Sequence, residues 1–107
     1  MIIMDELKNK LIKFQKERDW KKFHTPENLA KSISIEAAEL LEHFQWGKEY
    51  NLEEVSEELA DVLIYCIYMV DSLNLDINEI ILNKMEKNAK KYPVDKSKGN
   101  AKKYTEF

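Results

Sequence analysis

Two short stretches carry the residues most able to do chemistry. "EAAELLEHFQW" at 36–46 sets Glu36 and Glu39 three positions apart, and "EELADVLIYC" at 57–66 does the same with Glu58 and Asp61. Three residues of α-helix turn the chain by about 300°, so the members of each pair project to neighbouring points one turn apart. The pattern recurs at a displacement of 22 residues, matching Glu36 to Glu58, Glu39 to Asp61 and Leu40 to Val62. If both segments are helices and pack on each other, four carboxylates can meet in one place. Like charges at close range repel and burial worsens the conflict, so an unligated cluster takes up protons or moves apart. A divalent cation removes the conflict, and oxygen-only ligands suit a hard ion such as Mg2+ or Mn2+. Zinc is disfavoured, because it prefers Cys and His, and Cys66 has no matching partner. A single acidic pair at this spacing is ordinarily solvated surface. Two pairs in matching phase beside apolar faces are less ordinary, and pattern alone leaves both readings open. A di-iron carboxylate bundle would need Glu-x-x-His on two helices. His43 stands four residues after Glu39 with no second such pair, which leaves it as packing or surface.

The elements that must position these acids are helices. Helix one is expected from about Asp5 to Arg18, with Leu7, Leu11, Ile12 and Phe14 as a narrow apolar stripe, and "RDWKKFH" follows as a connector. Thr25 and Pro26 form a cap and first-turn signal for helix two, which should reach Phe44 or Trp46 before Gly47 stops it. Helix three should run from Asn51 or Leu52 to Leu73. Asp76, with Glu79 three residues on, opens helix four in a capping-box-like pattern, and Pro93 ends it near Lys91. "VDKSKGNAKKYTEF" has no periodicity and reads as an extended C-terminal tail. Leu29, Ile33, Ala37, Leu40 and Phe44 define the buried face of helix two; Val55, Leu59, Val62, Cys66, Val70 and Leu73 define that of helix three. Glu36 lies about 80° and Glu39 about 140° from the centre of the first face, so the acids flank the core. Between Leu59 and Met69 helix three has no solvated side, because Ile64, Ile67 and Tyr68 fill it. A helix apolar nearly all round must be covered all round, which favours a homo-oligomer, dimer or tetramer.

A chain of 107 residues supports one core, so residues 1–107 read as a single all-α domain, a four-helix bundle. Two Gly and two Pro leave few breaks for the strands of a β-sandwich. The net charge of −3 supplies no general attraction to nucleic acid or an anionic membrane, and neither is expected as a partner. Residues 84–103, however, hold eight Lys against Glu86 and Asp95, while residues 1–83 hold 17 acids against nine bases. An acidic body with a basic end suits an anionic ligand held near bound cations, and suits a solvated lysine-rich tail equally well. Cys66 is alone in an apolar run and reads as a buried thiol of a reduced compartment. The start, "MIIMDELKNKLI", lacks the pattern of a signal peptide, and the protein is expected in the cytoplasm. Glycine-rich phosphate loops, nucleophile elbows and cysteine clusters are missing from the sequence.

The spacing E-x-x-E, eighteen residues, E-x-x-D resembles the signature of MazG-type nucleoside triphosphate pyrophosphohydrolases. "RDWKKFHTPENLAKSISIEAAELLEHFQW", "KMEKNAKKYPV" and "KSKGNAKKYT" extend the likeness to nearly the whole chain and resemble the dCTP pyrophosphatase branch. One departure is Ala38, where many relatives carry Gly before the second Glu. The resemblance implies Mg2+-dependent cleavage of a nucleoside triphosphate substrate, dCTP foremost, to monophosphate and pyrophosphate. By position it implies Glu36, Glu39, Glu58 and Asp61 as metal ligands, with Glu39 as the proton acceptor. It further implies that Trp20, His24, Trp46 and Tyr65 wall the nucleobase and that Asn88 hydrogen-bonds its edge. Lys84, Lys91 and Tyr92 are candidates for triphosphate contact, while Asn28 is more ambiguous and can simply tie down the connector. Two rivals stand beside this reading: a non-catalytic helical interaction module, and the same hydrolase with another or a modified base preference.

Overall fold

In a computed structural model the chain is described over residues 2–107, with side chains from residue 5 onward. The regular elements among the described residues are all helical: α1 (Ile2–Glu17), α2 (Pro26–Glu42), α3 (Leu52–Ser72), α4 (Ile77–Lys91) and α5 (Val94–Ser97), with 3-10 turns at Lys21–Phe23 and Tyr104–Glu106. The chain divides into two compact units, Met1–Leu75 and Asp76–Phe107.

In the first unit, α2 packs along α3 and α1 makes a smaller contact with α3. α1 begins at Ile2, about a turn before the expected start, so Asp5 lies in its first turn, where its charge complements the helix N-terminus. α1 and α3 close in the same way. Asp19 (φ 54°) and Asn74 (φ 56°) adopt the left-handed conformation. Around them the Asp19 N–H donates to the Lys16 carbonyl and Trp20 N–H to Gln15, while Asn74 N–H donates to Asp71 and Leu75 N–H to Val70. This paired-bond stop satisfies carbonyls that the helix end leaves free.

The caps fall where the side chains predict. Thr25 Oγ1 accepts from the Asn28 N–H at 3.3 Å ahead of Pro26, and Asn28 Nδ2 donates to the Phe23 carbonyl at 2.9 Å, tying the connector to the first turn of α2. Asn51 Oδ1 accepts from the Glu54 N–H at 3.0 Å and starts α3. Asn51→Ala should therefore cost about 1 kcal/mol, read as a lowered thermal midpoint with the far-ultraviolet spectrum unchanged. α2 ends at Glu42, short of the expected Phe44, and the chain narrows through i→i−3 bonds from Phe44 and Gln45 to Leu41 and Glu42 before Gly47 (φ 142°).

The core is smaller than the apolar stripes imply. Leu29 is fully buried, and Ile67, Tyr68 and Gln15 are the other buried side chains among the described residues. Full burial of Leu29 is worth ~2 kcal/mol. Of the predicted α2 face, Ile33 and Leu40 are half-buried, but Ala37 and Phe44 are exposed. On α3, Val55, Val62, Cys66 and Val70 of the predicted face are half-buried, but Leu59 and Leu73 are exposed, and the most buried positions are Ile67 and Tyr68. Tyr68 explains part of this difference, since its hydroxyl reaches across to donate to the Leu11 carbonyl at 3.1 Å.

In the second unit, Asp76 Oδ1 accepts from the Glu79 N–H at 2.9 Å, the capping half of the predicted box. The tail departs from the extended segment expected. Residues after Pro93 form α5, and Asn100 bridges the Lys96 carbonyl and the Lys102 N–H, both at 3.0 Å. The last turn then returns to the end of α4, where Tyr92 meets Tyr104 and Phe107 edge-on at 6.0 and 5.8 Å. Three aromatic rings and local side-chain bonds do here what apolar periodicity does elsewhere, which is why a search for periodicity passes over it.

Candidate functional site

The matched phase of α2 and α3 gathers the acids. One carboxylate oxygen from each of Glu36, Glu58 and Asp61 lies within 4.8 Å of the others. Glu39 stands outside that trio but hydrogen-bonds Glu36. Burial, that bond to Glu39, and then the charges of Glu39, Asp61 and Glu58 push the Glu36 carboxyl up to about 7. Glu36 Oε2 and Glu58 Oε2 are closed to solvent and have no hydrogen-bond partner among the described residues. Two buried acceptors without donors, one turn from further carboxylates, fit a hard cation in the chemistry of the donor set.

Two residues gain surroundings that the sequence did not reveal, His43 beside the acids and Gln15 beside His24. His43 Nε2 lies 3.7 Å from Glu58 Oε1 and its Nδ1 lies 3.9 Å from Glu54 Oε2, an ion-pair range too long for a hydrogen bond. The signal was present: His43 follows Glu39 by one helical turn, so it shares that face. Gln15, 3% exposed, is the other. It follows Leu11 by one turn on the apolar stripe of α1, where a lone polar residue was open to notice.

Beside the acids stands an aromatic wall. Trp20, His24 and Tyr65, singled out for the base, come together: the His24 ring lies 6.2 Å from both Trp20 and Tyr65, edge-on to each. Tyr68 adds a further ring 5.1 Å from His24, and Phe14 meets Trp20 at 5.8 Å. The Tyr65 hydroxyl is pushed up by burial first and then by the charges of Glu36, Asp61 and Glu39, which ties the wall to the acid cluster. Burial lowers the His24 imidazole below its ordinary value. Trp46 does not join the wall; it is 91% exposed.

The remaining predicted residues lie in the second unit. Lys84 and Asn88 are exposed on α4. Lys91 Nζ sits 4.9 Å over the Tyr104 ring, and Tyr92 is held by Tyr104 and Phe107.

Comparison with known proteins finds relatives along nearly the whole chain. A model of the MazG-like family matches residues 31–107. Mouse and human dCTP pyrophosphatase 1 are 34% and 33% identical to this chain, each aligned over 97% of it and 67% of their own length. A crystal structure of a pyrophosphatase from Archaeoglobus fulgidus superposes with a TM-score of 0.77 at 48% identity, covering 84% of this chain and 92% of that one. The chain belongs to the MazG-like family. No helix among the described residues is long and apolar enough to cross a membrane.

Proposed function

We propose that this chain is a nucleoside triphosphate pyrophosphohydrolase that cleaves dCTP to dCMP and pyrophosphate, with Mg2+ as its cofactor and Mn2+ as a working substitute. The observation that carries the reading is the pair of buried, donorless oxygens on Glu36 and Glu58 beside Asp61. Family membership supports the reaction class, and the mammalian relatives support the choice of base.

Glu36, Glu39, Glu58 and Asp61 are the residues that would hold the ion. Bound there, the ion would neutralise phosphate oxygens and lower the pKa of a water molecule. Glu39, beside Glu36 but outside the close trio, would accept a proton from an attacking water as the bond between the α and β phosphates breaks, the β and γ phosphates leaving as pyrophosphate. Trp20, His24 and Tyr65 wall the base. The chain works as a homodimer or homotetramer. Leu59 and Leu63 support that assembly, being 45% and 53% exposed on the helix that carries two of the ligands. A reducing cytoplasm is in keeping with the unpaired Cys66.

Incubation with dCTP and Mg2+ should yield dCMP and pyrophosphate in equal amounts. Orthophosphate with dCDP would overturn the cleavage site, and failure to bind any nucleotide with Mg2+ present would leave an interaction module. Running UTP, dUTP and methylated cytosine nucleotides in parallel ranks the base preference.

A further inference from the structure

We propose that Gln15 is a positioning residue that fixes His24 as the tautomer protonated on Nε2, so that His24 donates to an acceptor atom of the nucleobase. The inference rests on the aromatic wall being the base pocket.

The side chain of Gln15 is nearly closed to solvent at 3% exposure, and its Nε2 lies 2.7 Å from His24 Nδ1. An amide NH2 only donates, so at that distance Nδ1 accepts and the single imidazole proton sits on Nε2. The opposite amide orientation is the worse one. Oε1 has no partner among the described residues. Turning the amide over would put two N–H donors where that oxygen now stands, and buried donors without acceptors are rarer than under-satisfied carbonyls. The backbone holds both ends of the contact. The Gln15 carbonyl takes the Trp20 N–H at 3.1 Å, and the His24 N–H bonds the Trp20 and Lys21 carbonyls at 3.2 and 3.1 Å.

Around the ring stand Trp20, Tyr65 and Tyr68, all able to pack its faces and edges. His24 Nε2 has no hydrogen-bond partner among the described residues. A fixed donor in an aromatic wall selects a base that offers a carbonyl oxygen or an unprotonated ring nitrogen at that point. Cytosine presents both on one edge. The lone polar residue on the apolar stripe of α1 thus sets the polarity of a group that meets the ligand.

The tautomer can be read on the full chain, free of nucleotide, from long-range 1H–15N correlations of the imidazoles. The sequence has two histidines, so a His43→Gln variant assigns the spectra. His24 should show a protonated Nε2 and an unprotonated Nδ1; the reverse would overturn the proposal. Gln15→Glu keeps the shape and reverses the polarity, since a carboxylate accepts from Nδ1–H. It should move the proton to Nδ1 or charge the ring, and raise KM for dCTP about tenfold with kcat within about twofold, a split that reports lost base binding. Gln15→Leu should give mixed tautomers and a smaller rise in KM. Wild-type spectra and KM in both variants would sink the idea. A wild-type chain with the stated tautomer but no pyrophosphate release would support the positioning and refute the proposed function instead.

Discussion

Asp61→Asn should slow pyrophosphate release from dCTP by about 10³-fold while helix content stays as in the wild type. Asp61 is exposed, so the substitution opens no cavity and strands no buried charge. What it removes is the charge of one of three carboxylates whose oxygens lie within 4.8 Å of one another, leaving a neutral amide oxygen. A hard ion is held by the number and charge of its oxygen ligands, so affinity should fall with activity. Mn2+ titration of the metal-free protein tests this separately from turnover. A variant that keeps wild-type Mn2+ affinity and release within about tenfold would show that Asp61 is no ligand.

Glu36→Gln should do two opposite things: abolish turnover and stabilise the metal-free chain at neutral and alkaline pH. The Glu36 carboxyl is raised from 4.5 to about 7, by burial first and then by the bond and charges of its neighbours. Between those values the folded chain keeps a proton that the unfolded chain has released. The sign follows from linkage: this group's stabilising contribution is complete below the unfolded value and disappears as pH rises through about 7. A neutral amide at this position removes the slope. Thermal midpoints of the metal-free protein across that range should fall with rising pH in the wild type and lie flatter and higher in the variant. Adding Mg2+ should raise the midpoint of the wild type alone, and more so at higher pH, because the ion must displace the proton. Parallel profiles in the two proteins would refute the assignment.

The parts of this site that were legible in the sequence depend on local chemistry or on phase. Thr25, Asn51 and Asp76 cap the helices they precede because a short polar side chain can reach its own first turn whatever surrounds it. Glu36, Glu58 and Asp61 converge because two helices with one pattern present one pattern when packed side by side. What was not legible depends on what each helix packs against. The stripe on α3 held at Val55, Val62, Cys66 and Val70 but not at Leu59 and Leu73; the packing buried Ile67 and Tyr68 most deeply, and a hydroxyl reaching Leu11 is invisible to a hydropathy pattern. Gln15 was hidden for a related reason, since burial of an amide depends on a partner, His24, that the connector brings back from nine residues away. Trp46 shows the limit from the other side: the family resemblance singled it out, but nothing local decides what its ring will meet.

The acids come from both members of a hairpin, three on two separate rods, and this gives the α2–α3 pair the character of a clasp. Without an ion the acids on the two facing helices repel one another, and the proton that Glu36 takes up eases that repulsion without joining the helices. A bound cation would close the clasp at that same point. The chemistry and the rigidity of the scaffold would then be switched on together, and a chain that has lost its ion would loosen first at the groove where it once held substrate.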